Sequence, residues 1–408
     1  MNICFEFLQI ALGTRDSLSR SLTEQDWMQF YDFCRRQALL GIGFSAMEKL
    51  YDTGVESTGD GACPKELQMR WMAVALKIEA LNRKMNNQCR VLTERLEHDG
   101  LRCCVLKGQS HQLVYPKSLS AKRTPGDIDI WCRTPDDGLP LPTASLCGHA
   151  VLYGHEAIRE YVRHLYRLAD ANKKPKACYH HIEAPDVDDI HVEVHYRPSF
   201  LHSPVRNHRL QRFFLRHADE CMTNRTALGF SMLTPSVNVV YQMCHLFSHH
   251  LEMGLGLRQL MDYNFALKMW HNDCMEKKDL QSQDLLTEGL GVPVMSREEV
   301  VRVLRSFGMG RFAAAVMWVL KEVFAMPAHY YICEPNEKEG RKLLDEIMLG
   351  GNFGQYDERG RGMKNGGMMK HGVWKLTRVM RLVGSYPEEA LWEPVFRLWH
   401  WGWRQISQ

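Results

Sequence analysis

No two cysteines in this sequence are spaced C-x-x-C, although thirteen are present. They are odd in number and scattered, and only Cys103 and Cys104 are adjacent, inside an apolar run where they are expected to pack as small hydrophobes. That pattern fits reduced thiols in a cytoplasm and excludes a disulfide framework or a zinc ribbon. Long apolar runs are missing as well. None approaches the roughly 20 residues that span a bilayer. The apolar stretch from Ile3 to Leu12 is broken by Glu6 and Gln9 with no basic region before it, unlike a signal peptide. The chain therefore reads as a soluble cytoplasmic protein with no membrane partner. It also lacks an excess of either charge: 51 Lys and Arg stand against 48 Asp and Glu. A general attraction to nucleic acid has no basis in such a balance, and any basic surface must be local. There is no internal repeat, no P-loop pattern G-x-x-x-x-G-K-[ST] and no H-E-x-x-H zinc motif.

What is present suits a globular chain. At 408 residues it can form two or three domains, and 45% hydrophobic with 24% charged residues is ordinary for such a protein. Residues 1–100 read as an N-terminal helical region. Thr23 with Asp26 forms a capping-box pattern, and Trp27, Phe30, Tyr31 and Cys34 then share a helical face. A longer helix starts at Pro64, with Leu67, Trp71, Val74, Ile78, Leu81 and Met85 at alternating spacings of three and four, and Asp99-Gly100 stops it.

The character changes over residues 101–200. Cys103 to Leu106 reads as a buried strand ending in Lys107-Gly108-Gln109-Ser110, where glycine permits a tight turn into a helix. A strand, a glycine turn and a helix N-terminus make a place where phosphate can meet backbone amides. After a polar loop through Arg123 comes Gly126-Asp127-Ile128-Asp129-Ile130-Trp131. Successive strand residues point to opposite faces, so Asp127 and Asp129 share one face and Ile128 and Ile130 the other. Two acids so close repel unless a cation or a proton intervenes. An isolated Asp-x-Asp is ordinarily a solvated pair at a strand edge, but one beside an apolar face also suits magnesium. Residues 134–150 read as a loop, and 155–171 as a helix. Two strand-like runs, Ala177 to Ala184 and Ile190 to Tyr196, are separated as in a hairpin. In the second run, alternation puts His191, Glu193 and His195 opposite Val192 and Val194. Glu193 is the stronger functional candidate. His191 and His195 read first as surface or supporting histidines, with metal ligation or base chemistry the sharper alternative.

Residues 201–408 read as a C-terminal helical region. His245 and His249 lie one helical turn apart but have no evident third ligand, so a structural role is expected. Arg258 and Asp262 have the spacing of a surface helical pair, and Ser296 with Glu299 forms a second capping box. The glycine-rich stretch near 350–372, with Arg359, Arg361, Lys364 and Lys370, reads as a mobile loop, with an active-site lid as the alternative. The tail with Trp392, Trp399, Trp401 and Trp403 reads as a final packed helix.

The order of a strand, a Lys-Gly turn, a helix, a Gly-Asp-Ile-Asp strand and a Val-Glu-Val-His strand is more specific than any one part. It resembles the nucleotidyltransferase superfamily, and within it the large nucleotidyltransferase-like family with an LKG … R … GDID … HW-type pattern. The resemblance covers about residues 100–200, and more loosely the segment through His245, His249 and Leu257 to Asp262. Gln109 stands where a second small residue is usual, and Tyr196 where tryptophan is commoner. The resemblance implies an α+β fold with a small mixed sheet flanked by helices. It implies magnesium, or manganese, on Asp127, Asp129 and Glu193. It further implies that Lys107, Gly108, Ser110, Arg123 and Gly126 surround the nucleotide phosphates.

Phosphoryl and nucleotidyl transfer call for positioning and charge neutralisation more than for covalent help from protein. Three carboxylates can hold two metal ions roughly 4 Å apart. The expected activity is transfer of a nucleoside monophosphate from a nucleoside triphosphate to an acceptor hydroxyl on a protein, an RNA or a small molecule. A catalytically inactive nucleotide-binding or scaffold protein on the same fold is the alternative. A third reading takes Arg206, Arg209, Arg212 and Arg216 as a helix face that follows a nucleic-acid backbone.

Overall fold

The computed structural model describes residues 2–52, 61–135, 154–169, 175–282, 294–360 and 377–407. The fold is α+β: a four-stranded mixed sheet with helices before and after it. Two compact units interleave along the chain. One comprises residues 1–82, 112–124 and 242–385, the other 83–111, 125–241 and 386–408.

The first unit is helical. Helix α1 (Ile3–Leu12), α2 (Glu24–Arg36), α3 (Leu40–Asp52) and the first half of α4 (Lys65–His98) open it. The capping box at Thr23 forms as expected, with the Asp26 amide donating to Thr23 Oγ1 and the Thr23 amide donating to Asp26. Phe7, Trp27, Phe30 and Trp71 are almost fully buried and meet ring to ring. The stripe read on α4 is therefore used inside the chain's own core at Trp71. Arg123 lies within this unit, 3% exposed, and makes a bidentate pair with Asp262, Nε to Oδ1 at 2.7 Å and Nη2 to Oδ2 at 2.8 Å. The Tyr115 hydroxyl donates to the same Oδ1 at 2.8 Å. Asn82 donates to the carbonyls of Ala121 and Arg123, fixing the segment that carries the arginine. Asp262 is thus no surface acid: it is buried, and Arg258 donates to the Thr124 carbonyl.

The described part of the glycine-rich stretch belongs to this unit and is tied down. Arg359 pairs with Glu346 and Asp357 at 2.8 and 2.9 Å. Its continuation, with Arg361, Lys364 and Lys370, lies outside the described residues. Among the described residues no helix is long and apolar enough to cross a membrane.

The second unit holds the sheet: β1 (Arg102–Val105), β2 (Ile128–Arg133), β3 (His181–Val187) and β4 (Ile190–His195), in the order β1-β2-β4-β3. β2 is antiparallel to β1 and parallel to β4, while β3 and β4 form the expected hairpin. The central strands bury Ile128, Ile130, Val192 and Val194 on one face, none more than 1% exposed. The hairpin is tighter than the sequence suggested, because Pro185 to Val187 remain in β3 and only Asp188 and Asp189 form the turn. Both turn residues have positive φ, +50° and +62°, as two-residue hairpin turns of type I′ require. Lys84 and Gln88, from the second half of α4, hold this turn through Asp188. The pairing shifts by one residue between Ala184 and Val187, so that His181 faces His195 and Glu183 faces Glu193. A bulge at that point accommodates Pro185, which has no amide to donate.

Outside the sheet, a helix (Gly154–Ala169) lies between β2 and β3 in the chain, and its Tyr166 donates to the Ala184 carbonyl. The last helix (Pro387–Ser407) is held by Glu389, which accepts from the His202 amide at 2.7 Å. It is less packed than expected: Trp392, Trp399 and Trp401 are all exposed.

Two stability measurements test the helical unit. Removing one member of a buried pair leaves an uncompensated charge, at a cost of about 3–5 kcal/mol. Asp262→Ala should lower the urea-unfolding free energy by that order, and the apolar double variant Arg123→Met/Asp262→Leu should recover much of it. His250 is pushed down to about 3, first by burial and then by the positive charge of Arg378. Its stabilising contribution is complete above the ordinary histidine value of about 6.5 and is lost as pH falls from there toward 3. Urea midpoints should drop below pH 6.5, and His250→Gln should flatten that slope.

Candidate active site

Parallel pairing of β2 and β4 sets Asp129 opposite Glu193 and Trp131 opposite His195. Side chains in register on neighbouring strands share a face, so the second acid of Gly-Asp-Ile-Asp meets the acid of Val-Glu-Val-His. Asp129 has no exposed surface. Its Oδ1 lies 3.0 Å from Lys107 Nζ and 3.0 Å from His195 Nε2. Glu193 Oε2 is 3.3 Å from the same His195 nitrogen and 3.7 Å from His181 Nδ1. His181 is in turn 3.0 Å from His180, Nδ1 to Nε2. Lys107, Asp129, Glu193, His195, His181 and His180 therefore form one continuous polar chain across the sheet.

The electrostatics follow from burial set against neighbouring charge. Desolvation opposes the Lys107 ammonium, but the nearby charges of Asp129 and Asp127 prevail and hold it protonated. Burial likewise opposes protonation of His195, yet its hydrogen bonds to Asp129 and Glu193 push it up to about 9. Burial raises Glu193, and the His195 hydrogen bond with the charges of His181, His195 and Lys107 outweighs it, leaving the carboxyl well below its usual range. His181 goes the other way, down to about 4, through burial and then the His195 charge. Burial also takes His180 well below the ordinary histidine value. The chain thus carries cationic Lys107 and His195, anionic Glu193 and two neutral imidazoles.

Whether a divalent ion fits is decided by Asp129. Its Oδ2 is buried without a hydrogen-bond partner. A buried carboxylate oxygen in that condition is costly unless a cation completes it. Asp129, Glu193 and His195 each offer a ligand atom, all within 4.8 Å of one another, and His180, His181 and His195 form a second such group. The donor set fits a divalent metal.

The other expected residues are placed as follows. Asp127 precedes β2, is half-buried, and belongs to neither ligand group, though its charge acts on Lys107. Gly108 has φ +68°, and a Cβ there would stand 3.2 Å from the Asp127 carbonyl. Its glycine identity is explained by that left-handed turn packed on the acid-bearing segment. Gly126 is exposed and has open space around it, so no steric demand explains it. Ser110 is buried, in a helix of only four residues, Gln109–Gln112, too short to present the expected helix N-terminus to phosphate. Gln109 donates to Asn86 at 2.7 Å. Arg123 is buried and paired with Asp262. His191 is exposed beside Asp186, away from the acid pair. His245 and His249 approach each other at 3.0 Å, and among the described residues no third ligand groups with them.

Sequence reasoning did not single out His180 and His181, which adjoin the acid pair; of the two readings offered for His195, its bonds to both acids match the supporting one. The adjacent pair His180-His181 at the start of a strand was the available signal. A cavity of about 560 Å³ opens at the C-terminal ends of β2 and β4, lined by Arg133, His155, Tyr179, Tyr196, Arg197 and Asn207 among others. None of the acid-cluster residues lines it.

The model of the uncharacterised nucleotidyltransferase family matches residues 23–283, well over half of the chain. No curated protein and no solved structure matches it. The matched span includes every residue of the polar chain from Lys107 to His195, and the chain belongs to the uncharacterised nucleotidyltransferase family.

Proposed function

We propose that the protein transfers a nucleoside monophosphate from a nucleoside triphosphate to an acceptor hydroxyl, with Asp129 and Glu193 as the paired acids of a divalent-metal site. Family membership supports nucleotidyl transfer in general. The observation that carries the finer reading is the Asp129–Glu193 pair across β2 and β4, with one Asp129 oxygen buried and unpartnered. Magnesium, with manganese as the alternative, is the ion expected from the carboxylates; when bound, it would neutralise phosphate oxygens and polarise the attacking group. Asp127, just ahead of the strand, adds a third negative charge toward Lys107.

The remaining roles belong to the chain's own residues. Lys107, 20% exposed and 3.0 Å from Asp129, would meet a phosphate while pairing with the acid. Gly108 lets the backbone turn there, and its φ of +68° keeps the Lys107 turn against Asp127. His195 bridges the two acids and fixes their separation. Arg123 serves its own unit through Asp262, and Ser110 supports the turn from within the core.

Radiolabelled triphosphates incubated with magnesium or manganese should release pyrophosphate or label an acceptor. Asp129→Asn should reduce that signal by on the order of 10³-fold, as loss of a transition-state charge contact does. Equal turnover by wild type and variant would sink the catalytic reading. Nucleotide binding without turnover would favour the inactive alternative. Gly108→Ala places an L-residue in the left-handed region, at about 1–2 kcal/mol. It should lower the melting temperature slightly and turnover by more than tenfold, a split that differential scanning calorimetry and the labelling assay would show.

A further inference from the structure

The cavity at the C-terminal ends of β2 and β4 lies wholly within the sheet-bearing unit and has no part in the transfer reading. Strand register accounts for its charge. Trp131 pairs with His195, and two residues beyond that pair along the chain stand Arg133 and Arg197. Both line the cavity with His155 and His208, and among the described residues no carboxylate lines it. Trp131, Tyr179 and Phe214 supply flat apolar walls.

Arg197 is the member of this set that calls for a ligand. It is half-buried, and among the described residues its hydrogen bond runs from Nη1 to the Tyr179 carbonyl at 2.7 Å. Its guanidinium also lies over the Tyr179 ring, 4.4 Å from the centroid, a cation–π contact that holds it in place. Asn207 donates to the Tyr179 hydroxyl at 2.8 Å, so the ring beneath Arg197 is itself fixed. No carboxylate among the described residues pairs with Arg197; Glu156, whose charge reaches it, is bound to Arg159 instead. Burial accordingly pushes the guanidinium below its ordinary value. A guanidinium carries five N–H donors in a planar fork that matches phosphate or carboxylate, and one carbonyl uses little of that capacity.

We propose that this cavity binds a small organic anion, a phosphate or carboxylate on a flat apolar body, with Arg197 donating to the anionic head. The aromatic walls take the body, and the absence of a described carboxylate removes any competitor for the head. The volume of about 560 Å³ suits a ligand larger than inorganic phosphate, since pockets for small organic molecules run roughly 300–1,000 Å³. The inference goes beyond the proposed transfer and does not depend on it, because none of the acid-cluster residues lines the cavity.

The test is isothermal titration of the full chain, in EDTA and without triphosphate, using 1-naphthyl phosphate, 1-naphthoate and the neutral 1-naphthol. At least one of the two acids should saturate at one per chain, about tenfold or more tighter than naphthol, and the tighter acid identifies the head. Arg197→Met should abolish that preference for the acid, and Arg197→Lys, which keeps the charge without the fork, should restore part of it. A merely structural role would move acid and naphthol together. Because Arg197 also supports Tyr179, a second variant leaves that contact alone. His208→Glu, at an exposed position on the cavity lining, should weaken the acid by about threefold or more and leave naphthol unchanged. Failure of both acids to saturate, equal binding of acid and naphthol, or an undiminished preference in folded Arg197→Met and His208→Glu overturns the proposal. So does an acid that binds only when magnesium is added, since it would then occupy the transfer site.

Discussion

A carboxyl side chain with no exposed surface, Asp129, sits in the middle of the sheet, and the surrounding structure brings two cations against it. Burying an isolated carboxylate in a low-dielectric interior carries a large penalty, which only nearby cations or hydrogen bonds can offset. Here the Lys107 turn brings an ammonium from the end of β1, and the parallel partner strand brings His195. Each depends on a different backbone feature. Lys107 reaches the acid because Gly108 adopts φ +68° just after the strand. His195 reaches it because β4 runs parallel to β2 in a register that pairs Asp129 with Glu193. The apolar faces of the same strands, through Ile128, Ile130, Val192 and Val194, hold that register, since a one-residue slip would turn them outward.

The sheet therefore has two faces of opposite chemistry, and β3 adds to the polar one. Its bulge before the hairpin turn shifts the pairing, so that His181 and Glu183 lie on the side of Glu193 and His195. Without the shift, Ile182 would face His195 and the imidazole group would not exist. A device of the backbone thus determines the composition of the site, and Pro185 within the bulge is compatible with it because the ladder there needs no amide.

Much of this was legible in the sequence, and the exceptions have physical causes. Strict alternation in Gly-Asp-Ile-Asp and Val-Glu-Val-His is a local property, so the faces of the acids could be read from spacing, whereas the small mixed sheet was implied by the family resemblance. The capping boxes at Thr23 and Ser296 are equally local, and both are formed. His181 could not be placed, because its face depends on a bulge that no residue pattern announces. Arg123 reads as a phosphate ligand when only its neighbours are considered; its partner Asp262 lies 139 positions on. Asp262 in turn looks like half of a helical surface pair with Arg258, and only the fold reveals its burial. Three exposed tryptophans in the last helix mislead for the converse reason, since large aromatic residues usually signal a core.

The parallel pairing also has a bearing on how the chain reaches its native state. β3 and β4 are joined by two residues, and a hairpin of that kind closes in about 1–10 μs. Asp129 and Glu193, by contrast, are 64 positions apart, and parallel strands so separated pair slowly because loop closure must precede any reward from contact. His181, Glu193 and His195 can accordingly gather early on one hairpin, while Asp129 arrives only with the long-range step. Completion of the acid pair then follows closure of the hairpin, and the finished cluster marks a chain whose parallel strands have already paired.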